Sequence, residues 1–151
     1  MNRLLVVHHT SSPALHSMFS AVMEGATHDE IEGVEVLARA ALEATAVDVL
    51  RADGYLLGTP ANIGYMSGAL KHFFDQIYYP CLESTVQRPY ALYVHGNSDT
   101  TGALRAVESI TSGLQWRQVQ RPVEVVGTPT RADLELCREL GASVAAGLME
   151  A

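Results

Sequence analysis

Cysteine is scarce: Cys81 and Cys137 are the only two in 151 residues, and they lie far apart. That spacing excludes a disulfide scaffold and any Cys-x-x-Cys zinc or redox motif. Two free thiols in a reducing compartment are expected, with a single bridge as the alternative. Bases are also few, 10 Lys and Arg against 17 Asp and Glu, for a formal charge of −7. Such a surface is not built to neutralise nucleic-acid phosphates or anionic lipid, so neither is an expected partner. No apolar run approaches the roughly 20 residues of a membrane span. The short run Leu4 to Val7, preceded only by Arg3, is cut off by His8 and His9, so no signal-peptide core is expected and the cytoplasm is the expected location. Repeats, low-complexity tracts and long linkers are missing as well. No Ser-His-Asp or Cys-His set has a persuasive arrangement, which argues against hydrolysis. His8 and His9 adjoin on a strand and point to opposite faces, so no metal site is expected.

What is there is a chain with 48% hydrophobic residues, enough for one compact domain over residues 1–151. Its hydrophobic period switches repeatedly between strand and helix. Leu4–His8, Val34–Ala38, Gly54–Gly58, Tyr90–Val94 and Val123–Val126 read as five strands. Helices follow at Leu15 to Met23 with Gly25 as a stop, Thr45–Ala52, Met66 to Ile77 ended by Pro80, Ala103 to Leu114, and Cys137 to Leu148. Alternation of this kind predicts a parallel sheet covered on both faces. The first, third and fourth strands are nearly unbroken apolar runs, whereas the second and fifth interleave Glu35 and Glu124. Central strands need two apolar faces and edges tolerate a wet one, so the expected five-stranded order is 2-1-3-4-5, with a ligand crevice at the carboxyl ends of the central strands.

Three loops would meet there. His9-Thr10-Ser11-Ser12-Pro13-Ala14 has Ser12 as N-cap and Pro13 as first helical residue. It is either a well-capped helix start or a cation-free anion site for a phosphate monoester, and its place after the first strand favours phosphate. The segment Gly58 to Gly68 is too elaborate for a minimal turn and suggests a surface for a planar ligand. Within it Gly64 would let the backbone approach a ring, and Tyr65 would stack on that ring or sit at the rim. His95 to Gly102 is either a solvent loop capped by Thr100 or Thr101, or a cover for the opposite ring face. His28, His16 and His72 read as solvated positions, and Trp116 and Tyr78-Tyr79 as packing residues.

At these residues the sequence resembles the flavodoxin superfamily, most closely its NAD(P)H-dependent FMN and quinone reductase branch. The carrying segment is Ala44 to Gln76, ATAVDVLRADGYLLGTPANIGYMSGALKHFFDQ, with an Ala-Asp-Gly strand, a Gly-Thr-Pro loop, a Gly-x-Met-Ser-Gly helix start and a Leu-Lys-x-Phe-x-Asp helix. The resemblance implies a flavodoxin-like three-layer α/β sandwich that holds FMN. Thr10, Ser11, Ser12, Ala14 and Leu15 would occupy the phosphate loop. Pro60, Ala61, Asn62, Ile63, Gly64 and Tyr65 would occupy the isoalloxazine loop, and His95, Gly96, Asn97 and Ser98 the third contact segment. Pro13, Ala14 and Leu15 depart from the pattern, where Gly, then Asn or His, then Thr are common. Pro removes an N–H donor and Leu a hydroxyl.

The implied activity is NAD(P)H-dependent reduction of a quinone, flavin or similar acceptor, with His95 as a candidate proton donor. The alternative is a small electron carrier that works between redox partner proteins, and a third reading is a relative without flavin that binds another phosphate compound. The long insertion that some of these reductases use to form tetramers is missing, so a monomer or homodimer is expected.

Overall fold

The computed structural model describes residues 1–150. Its elements run β1 (Asn2–His8), α1 (Pro13–Ala26), β2 (Val34–Ala40), α2 (Ala46–Arg51), β3 (Gly54–Asn62), β4 (Tyr65–Met66), α3 (Gly68–Cys81), β5 (Pro89–Gly96), α4 (Thr101–Gly113), β6 (Arg117–Gln118), β7 (Val123–Val126) and α5 (Arg131–Gly147). The sheet follows the path β2-β1-β3-β5-β6, with β7 also on β5 and β4 folded back on β3. All pairings are parallel except β3 with β4.

Seven strands therefore replace the expected five. One addition arises because β3 runs on past Gly58 to Asn62, and Tyr65-Met66 then returns antiparallel on Ala61-Asn62. The other lies at the far edge. Arg117-Gln118 pairs with Pro89-Tyr90, the chain leaves the ladder, and Val123–Val126 rejoins it against Tyr93–Gly96. Pro122 falls in that gap, where its missing N–H breaks no ladder bond. A second correction concerns Pro80, which does not end α3 but sits inside its last turn. Losing one backbone donor at the penultimate residue interrupts little, because no further turn follows.

Successive residues of the central strands supply two separate cores. Leu4, Val6, Leu56 and Tyr93 pack with Leu15, Met18 and Val22 of α1 and Leu140 and Val144 of α5. Leu5, Val7, Tyr55 and Leu57 pack with Leu70, Phe73, Phe74 and Ile77 of α3 and Val107 of α4. The period of two in an apolar run thus feeds both faces of a covered sheet. Trp116 belongs to the second core: it stacks on Tyr55 at 4.1 Å and donates its indole N–H to Thr85 Oγ1 at 2.8 Å. Glu35 and Glu124 lie exposed on β2 and β7. Cys81 and Cys137 are free and buried. Burial pushes the first thiol up and the second to about 12, so both stay protonated and unreactive.

Candidate functional site

Parallel strands deliver the loops after β1, β3 and β5 to the same end of the sheet. After β1, the His8 ring stacks on Phe19 of α1 at 4.0 Å, and its Nδ1 lies 2.7 Å from Thr10 Oγ1. Burial, with His9 adding to it, holds the His8 pKa below its ordinary value. Ser12 is extended and caps α1, its Oγ accepting the N–H of Leu15 at 3.2 Å. That oxygen still has its own proton to donate. The backbone N–H groups of Thr10, Ser11 and Ser12 have no partner among the described residues. Leu15 departs from expectation: its side chain is buried in the core and its N–H is taken by Ser12. Its apolar character is what the core requires at the first inward position of α1.

Beyond β3 the chain forms a tight hairpin. Thr59 is fully buried, and its hydroxyl donates to Pro60 O at 2.8 Å and accepts from Ser67 N–H at 3.0 Å. The outgoing and returning ends of the loop are thereby tied together. Asn62 pairs with Tyr65, while Ile63 and Gly64 between them have φ of 51° and 72°. Two successive positive φ values are the signature of a primed two-residue turn, and a β-branched residue there is strained. The space where a Gly64 Cβ would sit is open, with nothing within 4 Å. The Gly64 carbonyl rests on Gly102 at the start of α4, where any side chain would overlap it. Tyr65 is at the rim, 41% exposed, and Ile63 projects fully into solvent.

After β5, His95 is buried and its Nε2 lies 2.8 Å from the carbonyl of Gly127. A carbonyl only accepts, so Nε2 carries a proton, and in the neutral ring Nδ1 then presents a lone pair. Asp99 accepts from the N–H of Thr101 at 3.0 Å and from its hydroxyl at 2.9 Å. Those bonds hold its carboxyl below the usual carboxylate range. Asp99, rather than Thr100 or Thr101, thus orders the start of α4, while Thr100 donates to Glu124 Oε1 at 2.8 Å.

The three loops do meet. Ser11 and Ser12, Pro60 to Asn62, and His95 to Asn97 line one cleft of about 120 Å³. This is smaller than the roughly 300–1,000 Å³ of pockets that enclose a ligand, so a ligand here would be held at a rim with part of its surface in solvent. Of the predicted site residues, Thr10, Ala14, Leu15, Ile63, Gly64, Tyr65 and Ser98 do not line it. A larger cleft of about 450 Å³ adjoins it, lined by Ser12 to Ala14, Ser17, His95, Asn97, Gly127 to Pro129 and Leu134. Sequence reasoning missed its far wall. A signal existed: the tripeptide Gly-Thr-Pro, singled out at 58–60, recurs at 127–129, directly after a strand. Among the described residues no group of three His, Cys, Asp or Glu is placed to hold a metal ion, and no helix is long and apolar enough to cross a membrane.

No protein-family model matches the chain. A stretch of 77 residues is 40% identical to a flavodoxin of Aquifex aeolicus (strain VF5), covering 51% of this chain and 40% of that protein. The match thus spans less than half the length of that relative. Among solved structures, a flavodoxin from the domain Archaea superposes with a TM-score of 0.80 over 97% of this chain and 98% of that one, at 17% identity. A WrbA-like flavodoxin from Agrobacterium tumefaciens gives 0.79 over 98% of both at 21% identity. Oxidised Flavodoxin 1 from Bacillus cereus gives 0.79 over 98% of this chain and 100% of that one at 17% identity. The fold is flavodoxin-like, a three-layer α/β arrangement around a parallel sheet.

Proposed function

We propose that the protein binds FMN in the smaller cleft and is an oxidoreductase that takes electrons from NADH or NADPH and passes them to a quinone, flavin or similar acceptor. The observation that carries this reading is the convergence of three loops on one cation-free cleft, with unpaired N–H groups at the start of α1. The N–H groups of Thr10, Ser11 and Ser12 and the hydroxyls of Thr10 and Ser12 would hold the phosphate, aided by the positive end of the α1 dipole. A phosphate needs donors more than it needs a lysine, and this loop supplies them. Ala14 adds one more N–H at the second helical position. Pro60 to Asn62 and His95 to Asn97 would flank the ring, with the Ile63–Tyr65 turn and Ser98 at its outer edge. His95 Nδ1 would accept a hydrogen bond from the ligand.

When bound, FMN supplies hydride acceptance and electron delivery; the protein positions it and limits its contact with water. A second reading, a carrier that exchanges electrons with partner proteins, is favoured by the similarity to a flavodoxin and by the charge of −7, which suits docking on basic surfaces. Titration of the purified chain with FMN, read by quenching of flavin fluorescence, tests the shared premise. NADPH oxidation by the loaded protein with menadione as acceptor supports the enzyme, whereas reduction only through an added reductase supports the carrier. Unquenched flavin at saturating protein rejects both.

A further inference from the structure

We infer that the free edge of β2 is a docking surface for a second copy of this chain, whose own β2 adds antiparallel about a two-fold axis at Leu37 and joins the two sheets. This inference stands apart from the FMN reading and does not depend on it. β2 pairs with β1 alone, and every one of its residues keeps some exposure, whereas Leu4 to Val7 of β1 are buried. At the two ends of that pairing the N–H of Asn2 donates to Gly33 O and the N–H of Ala41 to His8 O. In a parallel ladder these bonds fix the alternation. Glu35, Leu37 and Arg39 turn their N–H and C=O groups toward β1, and Val34, Val36 and Ala38 turn theirs outward. Those outward groups have no backbone partner among the described residues. Ala40 O differs, because the N–H groups of Glu43 and Ala44 take it, and the open stretch ends there.

Charge and register select the occupant. Edge strands are usually guarded by lysine, proline or a bulge, and β2, Val-Glu-Val-Leu-Ala-Arg-Ala in unbroken register, has none of these. Its only charges, Glu35 and Arg39, lie symmetrically about Leu37. With Leu37 facing Leu37, Glu35 of each copy lies across from Arg39 of the other, and Val36 across from Ala38. Val36 and Ala38 are outward residues, so their pairs exchange the N–H···O bonds. Glu35 and Arg39 then fall at non-hydrogen-bonded pairs, where Cα atoms approach to about 4.5 Å and side chains are closest. A slip of two residues either way keeps the ladder and loses the ion pairs, so one register is favoured. Both charges are accessible: their side chains are 47% and 42% exposed, and Arg39 reaches its own Asp48 only at 3.9 Å. The Arg39 guanidinium also lies 3.5 Å from Ala38 O, which places it at the open edge. On the Leu37 face, α2 is tied to the edge by Arg39 and Asp48 and leaves Val47 and Leu50 exposed, so apolar surface flanks the seam.

The test uses the full chain. Sedimentation equilibrium from roughly 1 μM to 1 mM is expected to show monomer and dimer in exchange. Ala38→Pro removes an outward N–H at a position where an edge strand tolerates proline, and should abolish the dimer. Glu35→Arg and Arg39→Glu each set like charges opposite one another and should weaken it roughly tenfold or more, while the double exchange restores it. Because that rescue needs a folded chain, it separates loss of docking from loss of fold. Leu37→Cys should cross-link two copies under mild oxidation, since residues facing each other across the axis meet the roughly 4.4–6.8 Å Cα separation of a disulfide. Glu35→Cys should not, because its counterpart in the second copy lies farther along the strand. A monomer at every concentration overturns the inference and leaves the edge to a strand of another protein. So does a dimer that persists in Ala38→Pro and in both charge variants, a double exchange that fails to restore it, or cross-linking of Glu35→Cys as fast as Leu37→Cys.

Discussion

Two segments of this molecule have the same tripeptide and opposite fates. Gly58-Thr59-Pro60 lies on β3, paired to β5 throughout and to β1 at Gly58, is fully buried, and continues as strand. Gly127-Thr128-Pro129 follows β7, which pairs with β5 alone; Gly127 takes φ of 79° and Thr128 is exposed. Local sequence is equal in the two places, so the neighbours decide. β3 keeps β5 as partner through Pro60 and then takes up β4, so it runs on, while β7 turns away as soon as its single partner ends. The consequence is functional. The buried copy spends its hydroxyl on Ser67 and Pro60, and the exposed copy keeps its hydroxyl for whatever enters the larger cleft.

Substitution of the two threonines sharpens this contrast most. Thr59→Val strands the buried N–H of Ser67, and should cost about 2–3 kcal/mol in urea unfolding. Thr128→Val should stay within about 0.5 kcal/mol. Equal losses would mean that the two copies are not differently committed. Next in size is Gly102→Ala, which forces a methyl into the carbonyl of Gly64 and should cost about 1–3 kcal/mol, loosening the hairpin tip first. Protection of the Asn62–Tyr65 amides from hydrogen exchange reads that loosening directly. Gly127→Ala faces open space and suffers only from its positive φ, so about 1–2 kcal/mol is expected.

The smallest effect concerns pH. The folded His8 binds a proton less readily than an unfolded histidine near 6.5, mainly because it is buried. As pH falls below that value the unfolded chain is protonated first, so stability declines through the window between 6.5 and the lower folded pKa. Urea midpoints taken near about pH 7.5 and about pH 5.5 should show a smaller decline in His8→Gln than in the parent chain. An unchanged decline would place the titrating group elsewhere.

Much of the architecture was legible because it depends on period and burial. Leu70, Phe73, Phe74 and Ile77 spell a helix face that is buried as read, and the uninterrupted apolar runs mark β1, β3 and β5 as strands covered on both sides. What was illegible depends on partners distant in sequence. Ile63-Gly64 gives no standard hairpin signal, since the first position takes a β-branched residue, and the turn is held by Thr59 and Gly102 instead. The split of the far edge into β6 and β7 follows from where β5 has free ladder positions. In the candidate site, Thr10, Ser11 and Ser12 were visible as hydroxyls after a first strand. That Leu15 turns inward and that a fourth loop walls a second cleft were not, because both are settled by packing of α1 against α5 and by the bond from His95 to Gly127.

The central claim is that the start of α1 holds a phosphate while the two neighbouring loops hold a ring. Parallel titrations of the parent chain, Thr10→Ala and Ser12→Ala with FMN and with riboflavin, which lacks the phosphate, test it most directly. Each lost hydrogen bond to a charged group is worth about 1.5–3 kcal/mol, so both variants should weaken FMN by about tenfold or more and riboflavin far less. Equal weakening of the two ligands, or no quenching of either by the parent chain, would contradict the account.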